Sequence, residues 1–208
     1  MLTALILKKT ITLIALVEPF SMIPLYLAAV RNDSPAGKER FALALGLTVT
    51  LALLGAGFFA KDVLDALGIS TASMQIGGGV IALILAVAMV LGHELEMKST
   101  AAQLDDVKCG RAHGITPLGV PLLAGPAAFS YMLTHSDWHS VNGIAAMTAP
   151  VAIVGLVTWA TFSLSHRAER FFSPTTLNII ERLAGFLLTG LSIEMIVSGL
   201  KASFPALS

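Results

Sequence analysis

Glu18 is the residue most able to do chemistry in this chain, and it sits where a charge is costly. Between Lys9 and Arg31 it is the only charged side chain in an otherwise apolar run. A carboxylate at bilayer depth costs on the order of 3 kcal/mol on insertion scales, so it must face the protein interior. Three roles are open to it. It can gain and lose a proton, hold an ammonium group or coupling cation, or accept hydrogen bonds from the chain beside it.

That neighbouring chain is Pro19-Phe20-Ser21-Met22-Ile23-Pro24. A proline inside a helix removes a hydrogen bond and clashes with the preceding turn, at about 3 kcal/mol. Two prolines five residues apart predict a broken helix rather than a kinked one, although two kinked structural helices are the competing reading. The same spacing recurs at Pro121 and Pro126, 102 residues further on, with Gly125 beside the second proline. Unpaired backbone groups survive at membrane depth only inside protein or along a watery cavity. Pro19 and Pro126 suit the first turn of a second half-helix, where no amide hydrogen is needed. The amides of Phe20, Ser21, Ala127 and Ala128 would then offer a carboxylate a half-helix N-terminus.

Glu194 is the second isolated acid, with Gly190 and Ser198 four residues to either side on one helical face. It either lines the path or reaches the outer interface near Lys201. Gly77, Gly78 and Gly79, with Gly185, mark close helix packing or flexing points. No Lys-Ser/Thr follows the glycine run, so it is not a phosphate loop. His93-Glu94 lacks the second histidine of a zinc protease, since position 97 is Met97. His135 and His139 flank Asp137-Trp138 in a short connection and read as solvated. Neither a metal, a cofactor nor a catalytic set is expected.

These residues need helices to hold them in a membrane. The chain has 208 residues, 55% hydrophobic and 12% charged, against about 25% charged in ordinary soluble domains. Its mean hydropathy is +0.82. Thirteen basic residues balance thirteen acidic ones, which argues against a nucleic-acid partner. The lone Cys109 makes no internal disulfide. Residues 41–60, 66–92, 114–134 and 141–165 carry no charge, and each is long enough to cross a bilayer core about 30 Å thick. With the runs around Glu18 and Glu194, six spans are expected, near 10–30, 41–60, 72–92, 115–134, 142–163 and 181–200. The first could be taken for a signal peptide, but Glu18-Pro19 interrupts its apolar run, and it is expected to stay uncleaved.

Counting Arg182 just inside the sixth span, nine of the thirteen Lys and Arg belong to the first, third and fifth connections, which puts those in the cytoplasm and both termini outside. Trp138 and Trp159 lie near expected span ends, as interfacial aromatics do. Gly79 and Met89 recur 106 residues on as Gly185 and Met195. Three spans per half is an odd number, so equivalent spans run oppositely, as in transporters with inverted repeats. The expected architecture is all-α: residues 1–92 form one three-span repeat, 93–113 a cytoplasmic linker, and 114–208 the inverted second repeat, with spans 1 and 4 broken.

The run Leu16-Val17-Glu18-Pro19-Phe20-Ser21-Met22-Ile23-Pro24-Leu25, together with Gly119-Val120-Pro121-Leu122-Leu123-Ala124-Gly125-Pro126, resembles the MarC family. Ile76-Gly77-Gly78-Gly79-Val80 and Arg182-Leu183-Ala184-Gly185 fit its pattern too, and the likeness covers the whole chain. The chain departs from the family in carrying Glu18 where Asp or Asn is frequent, and Ser21 and Ala127 where Gly is frequent. The resemblance implies a prokaryotic inner-membrane protein that transports small neutral amino acids such as glycine and alanine. A zwitterion would then find its carboxylate site at the half-helix ends and its ammonium site at Glu18 or unwound carbonyls. The substrate-binding set is Glu18, Pro19, Phe20, Ser21, Pro24, Pro121, Gly125, Pro126, Ala127 and Ala128. Glu18 and Glu194 are the candidates for coupling to a proton or sodium gradient, with the proton favoured by Glu18. A non-transporting scaffold and a channel are the alternatives.

Overall fold

A computed structural model describes residues 2–92, 125–135, 140–167 and 174–204. Among them there are helices and no strands: α1 (Leu2–Val17), α2 (Ile23–Ala29), α3 (Pro35–Leu67), α4 (Thr71–Leu91), α5 (Pro126–His135), α6 (Val141–Arg167) and α7 (Pro174–Ser203). Four stretches are long and apolar enough to cross a membrane: Pro35–Phe59, Thr71–Leu91, Val141–Ser165 and Asn178–Ser203. Leu43, Leu47, Leu51, Phe59, Leu183 and Phe186 stand exposed on their outer faces. An apolar exterior of this extent suits lipid rather than water. The linker 93–113, His93, Glu94, Pro121, Trp138 and His139 lie outside the described residues, as does most of the expected fourth span.

Local chemistry sets the helix ends. The Ser34 hydroxyl accepts from the Gly37 amide at 3.2 Å, and Pro35 occupies the first turn of α3. Ser70 caps α4 in the same way through the Ser73 amide at 3.0 Å. Both side chains satisfy amides the helix itself leaves open. Gly68 and Gly92 close these helices at φ 67° and 79°, left-handed conformations that glycine adopts without steric cost.

The helices pack as two antiparallel pairs, α3 with α6 and α4 with α7. In the second pair, a Cβ on Gly79 would lie 3.0 Å from the Ser192 carbonyl oxygen and 2.8 Å from the Ile196 side chain. Gly185 meets the Ala86 carbonyl oxygen at the same 3.0 Å, with Val90 at 3.3 Å. Ser192 and Ile196 are themselves 106 residues beyond Ala86 and Val90. Each helix therefore presents to the other the contact it receives. The first pair behaves alike: Gly46 lies against Gly155 and Trp159, while Gly155 lies against Gly46 and Thr50. Thr50 and Trp159 are 109 residues apart, as are Gly46 and Gly155.

Gly78 meets Ser130 of α5, whose hydroxyl donates to the Met74 carbonyl at 2.6 Å. Gly77 and Gly190 do not take the packing role expected of them. Both are exposed, and among the described residues no atom of another helix comes within 4 Å of where a Cβ would stand. Successive helical residues are rotated by about 100°, so only part of a three-glycine run can face a partner. Gly190 falls two residues from both Leu188 and Ser192, on the side of α7 turned away from α4.

Candidate functional site

The first expected span is broken, and the break begins at Glu18. The Glu18 amide still donates to the Ile14 carbonyl at 2.9 Å, completing α1. Its backbone then turns to φ 47°, the only positive φ outside glycine among the described residues. A non-glycine residue held there costs on the order of 1–3 kcal/mol and persists where its surroundings enforce it. The Ser21 hydroxyl donates to the Glu18 carbonyl at 3.0 Å, and the Ile23 amide to the Phe20 carbonyl at 3.2 Å.

The second half-helix starts at Ile23, with Pro24 in its first turn. Sequence reasoning gave that place to Pro19, which instead stands in the turn. The left-handed Glu18 redirects the chain first, and four turn residues intervene before helical geometry resumes. Pro126 does begin its helix, α5, as expected. The short α2 is anchored by Tyr26, fully buried, whose ring lies 4.8 Å from Phe162 and 6.0 Å from Phe41. Its hydroxyl donates to the Lys38 carbonyl at 2.9 Å.

The break opens on a cleft of about 260 Å³ between α1, α4 and α7. Glu18, Phe20 and Ser21 line it, joined by Met89, Glu181 and Ala184. Glu18 is 4% exposed, so its carboxylate is held inside the protein as the cost of a membrane charge demands. Pro19 is buried and Pro24 half-buried, but neither lines this cleft. Ala127 and Ala128 belong to the hydrophobic core instead, and Gly125 precedes α5. Glu181 escaped the sequence reading because it stands at the edge of an expected span, where an acid is unremarkable.

A second cleft, about 170 Å³, lies toward the other end of the α4–α7 pair. Lys8, Lys9 and Thr12 of α1 line it, with Gln75 of α4, Tyr131 and His135 of α5, and Glu194, Met195 and Ser198 of α7. Glu194 and Ser198 thus share a face, as their spacing implied, while Gly190 lies outside it. The Lys9 ammonium donates to the His135 carbonyl at 2.7 Å. The His135 ring stacks on Tyr131 at 4.3 Å. Partial desolvation there lowers the His135 pKa below its usual value, and the nearby ammonium groups of Lys9 and Lys8 lower it further, against a backbone hydrogen bond at Tyr131 that opposes them.

The pair α3–α6 is fastened at one end by a network that no sequence motif announced. The Glu39 carboxylate accepts from the Ser163 hydroxyl at 2.7 Å, the Trp159 indole at 3.0 Å and the Arg167 guanidinium at 3.2 Å. Trp159, expected as an interfacial aromatic, spends its N–H on this carboxylate.

Comparison with known proteins agrees with the span-length apolar helices. The family model described as "MarC family integral membrane protein" matches residues 3–204. The chain is 31% identical over 201 residues to the "UPF0056 membrane protein YhcE" of Escherichia coli (strain K12), covering 96% of this chain and 94% of that one. It is 27% identical over 214 residues to the "UPF0056 membrane protein YvbG" of Bacillus subtilis (strain 168), covering both chains fully. To the "UPF0056 membrane protein PYRAB13050" of Pyrococcus abyssi (strain GE5 / Orsay) it is 22% identical over 192 residues, 92% of each chain. No solved structure matches it. By its span-length helices and by a family match over nearly all its residues, the chain belongs to the MarC family of integral membrane proteins.

Proposed function

We propose that the protein is a secondary transporter of small neutral amino acids of the glycine and alanine type, working by alternating access in the inner membrane of a prokaryote. The observation that carries this reading is the helix break at Glu18. A strained turn, a buried carboxylate and a hydroxyl meet on one cleft, groups that are costly in a membrane protein unless they serve a site. Interrupted helices of this kind form substrate and ion sites in transporters. The reciprocal packing of α3 with α6 and of α4 with α7 supports reading the two halves as inverted repeats. Rocking of one repeat against the other would expose the cleft to each side in turn, with both termini outside.

In this reading Glu18 holds the substrate ammonium or carries the coupling proton, and the small cleft excludes bulky side chains. Counterflow of labelled alanine into proteoliposomes tests it, comparing the wild type with Glu18→Gln. Saturable counterflow is expected in the wild type. In the variant, flux should lose its dependence on an imposed proton gradient. Absence of saturable flux from the wild type would defeat the transporter reading. Unchanged proton coupling in the variant would defeat only the role of Glu18.

A further inference from the structure

The second cleft has a charge arrangement that the break cleft lacks. It takes cationic groups from one helix and an anionic group from another: Lys8 and Lys9 stand on α1, and Glu194 on α7. Gln75 on α4 and Ser198 on α7 add neutral donors and acceptors between them. Lys9 is already committed to the His135 carbonyl, which makes Lys8 the cation available to a ligand. Glu194 forms no ion pair among the described residues. The volume of about 170 Å³ falls below the roughly 300–1,000 Å³ of pockets that take drug-sized ligands.

We propose that this cleft is a binding site for a small zwitterion, its carboxylate toward Lys8 and its ammonium toward Glu194. A singly charged ligand of the same size would compensate one wall and leave the other charge unanswered, which is how such a site discriminates. Charge-assisted hydrogen bonds to both ends give it affinity.

The proposal rests on the transport reading and gives the path a second station. One face of α7 lines both clefts, with Glu181, Ala184 and Leu187 at the break and Leu191, Glu194 and Ser198 here. Leu187 and Glu194, like Ala184, Leu191 and Ser198, repeat at intervals of seven, so the wall runs straight from one cleft to the other. If the termini face outside, this station is the outer one.

The test uses the full-length protein in lipid nanodiscs for labelling and binding and in proteoliposomes for flux, with Ser198→Cys introduced in a Cys109→Ser background. Glycine is the probe, and acetate and methylamine are its two half-molecules. We expect glycine, but neither half-molecule, to slow maleimide labelling of the new thiol. Adding Glu194→Gln or Lys8→Gln should raise the glycine concentration needed about tenfold, the effect of losing one charge-assisted hydrogen bond. If glycine binds or is transported yet leaves labelling unchanged, the site lies elsewhere and the transport reading stands. Protection by acetate equal to that by glycine would make it an anion site and overturn the proposal. No glycine binding and no flux would remove this site and the transport reading together.

Discussion

Gly46 and Gly155 lie against each other's main chain: a Cβ on Gly46 would stand 2.7 Å from the Gly155 carbonyl oxygen, and one on Gly155 would stand 3.1 Å from that of Gly46. Neither obstacle is a flexible side chain that can swing aside. Gly46→Ala and Gly155→Ala should each force α3 and α6 apart and lower stability by about 1–3 kcal/mol, the usual cost of overpacking. No other described residue comes within 4 Å of where a Gly55 Cβ would stand, so Gly55→Ala should be neutral or slightly stabilising. Thermal unfolding of the three purified variants in one detergent checks the contrast.

The Glu39 network should divide unequally among its donors. Ser163 is buried and gives a 2.7 Å hydrogen bond to the carboxylate, so Ser163→Ala should cost about 1.5–3 kcal/mol. The Arg167 side chain is 67% exposed, and its 3.2 Å ion pair is screened by solvent; Arg167→Gln should cost less than about 1 kcal/mol. A double-mutant cycle between Glu39 and each partner, read by thermal unfolding, measures both couplings.

His135 should titrate below its usual value of about 6.5. A base whose pKa is lowered on folding binds its proton more readily in the unfolded chain. Its contribution to stability is therefore complete above the unfolded pKa and is lost as pH falls toward the folded one. His135→Phe keeps a ring to stack on Tyr131 and removes the titration. The wild type should lose stability on acidification from pH 7 to pH 5 by more than this variant does, and ring NMR signals of labelled histidine should give the midpoint directly.

The break was legible because its cause is local, while the pairing of α3 with α6 and of α4 with α7 was not, because it joins residues more than 100 positions apart. Pro19, Pro24 and Glu18 each break a rule of membrane helices, and Gly79 and Gly185 repeat at a fixed offset. The start of the second half-helix was not legible, since a left-handed Glu18 is a conformation that no residue type announces. Glu39, Trp159, Ser163 and Arg167 are separated by up to 128 residues, and each alone resembles an ordinary span-end polar group. Lys8 and Lys9 likewise read as ordinary tail charges until packing set them on the same cleft as Glu194. Gly77 and Gly190 show the opposite limit: residue type suggested packing, but helical phase turned them outward.

Transport through the break requires water and substrate to reach the turn between α1 and α2. Ser21→Cys in a Cys109→Ser background, reconstituted in liposomes and treated with a membrane-impermeant maleimide from one side at a time, tests this directly. We expect labelling from both sides, slowed by alanine in each case, because an alternating cleft presents the turn to each compartment. A thiol that reacts from neither side, in protein that is otherwise folded, would mean that the break is sealed within the structure and lines no path.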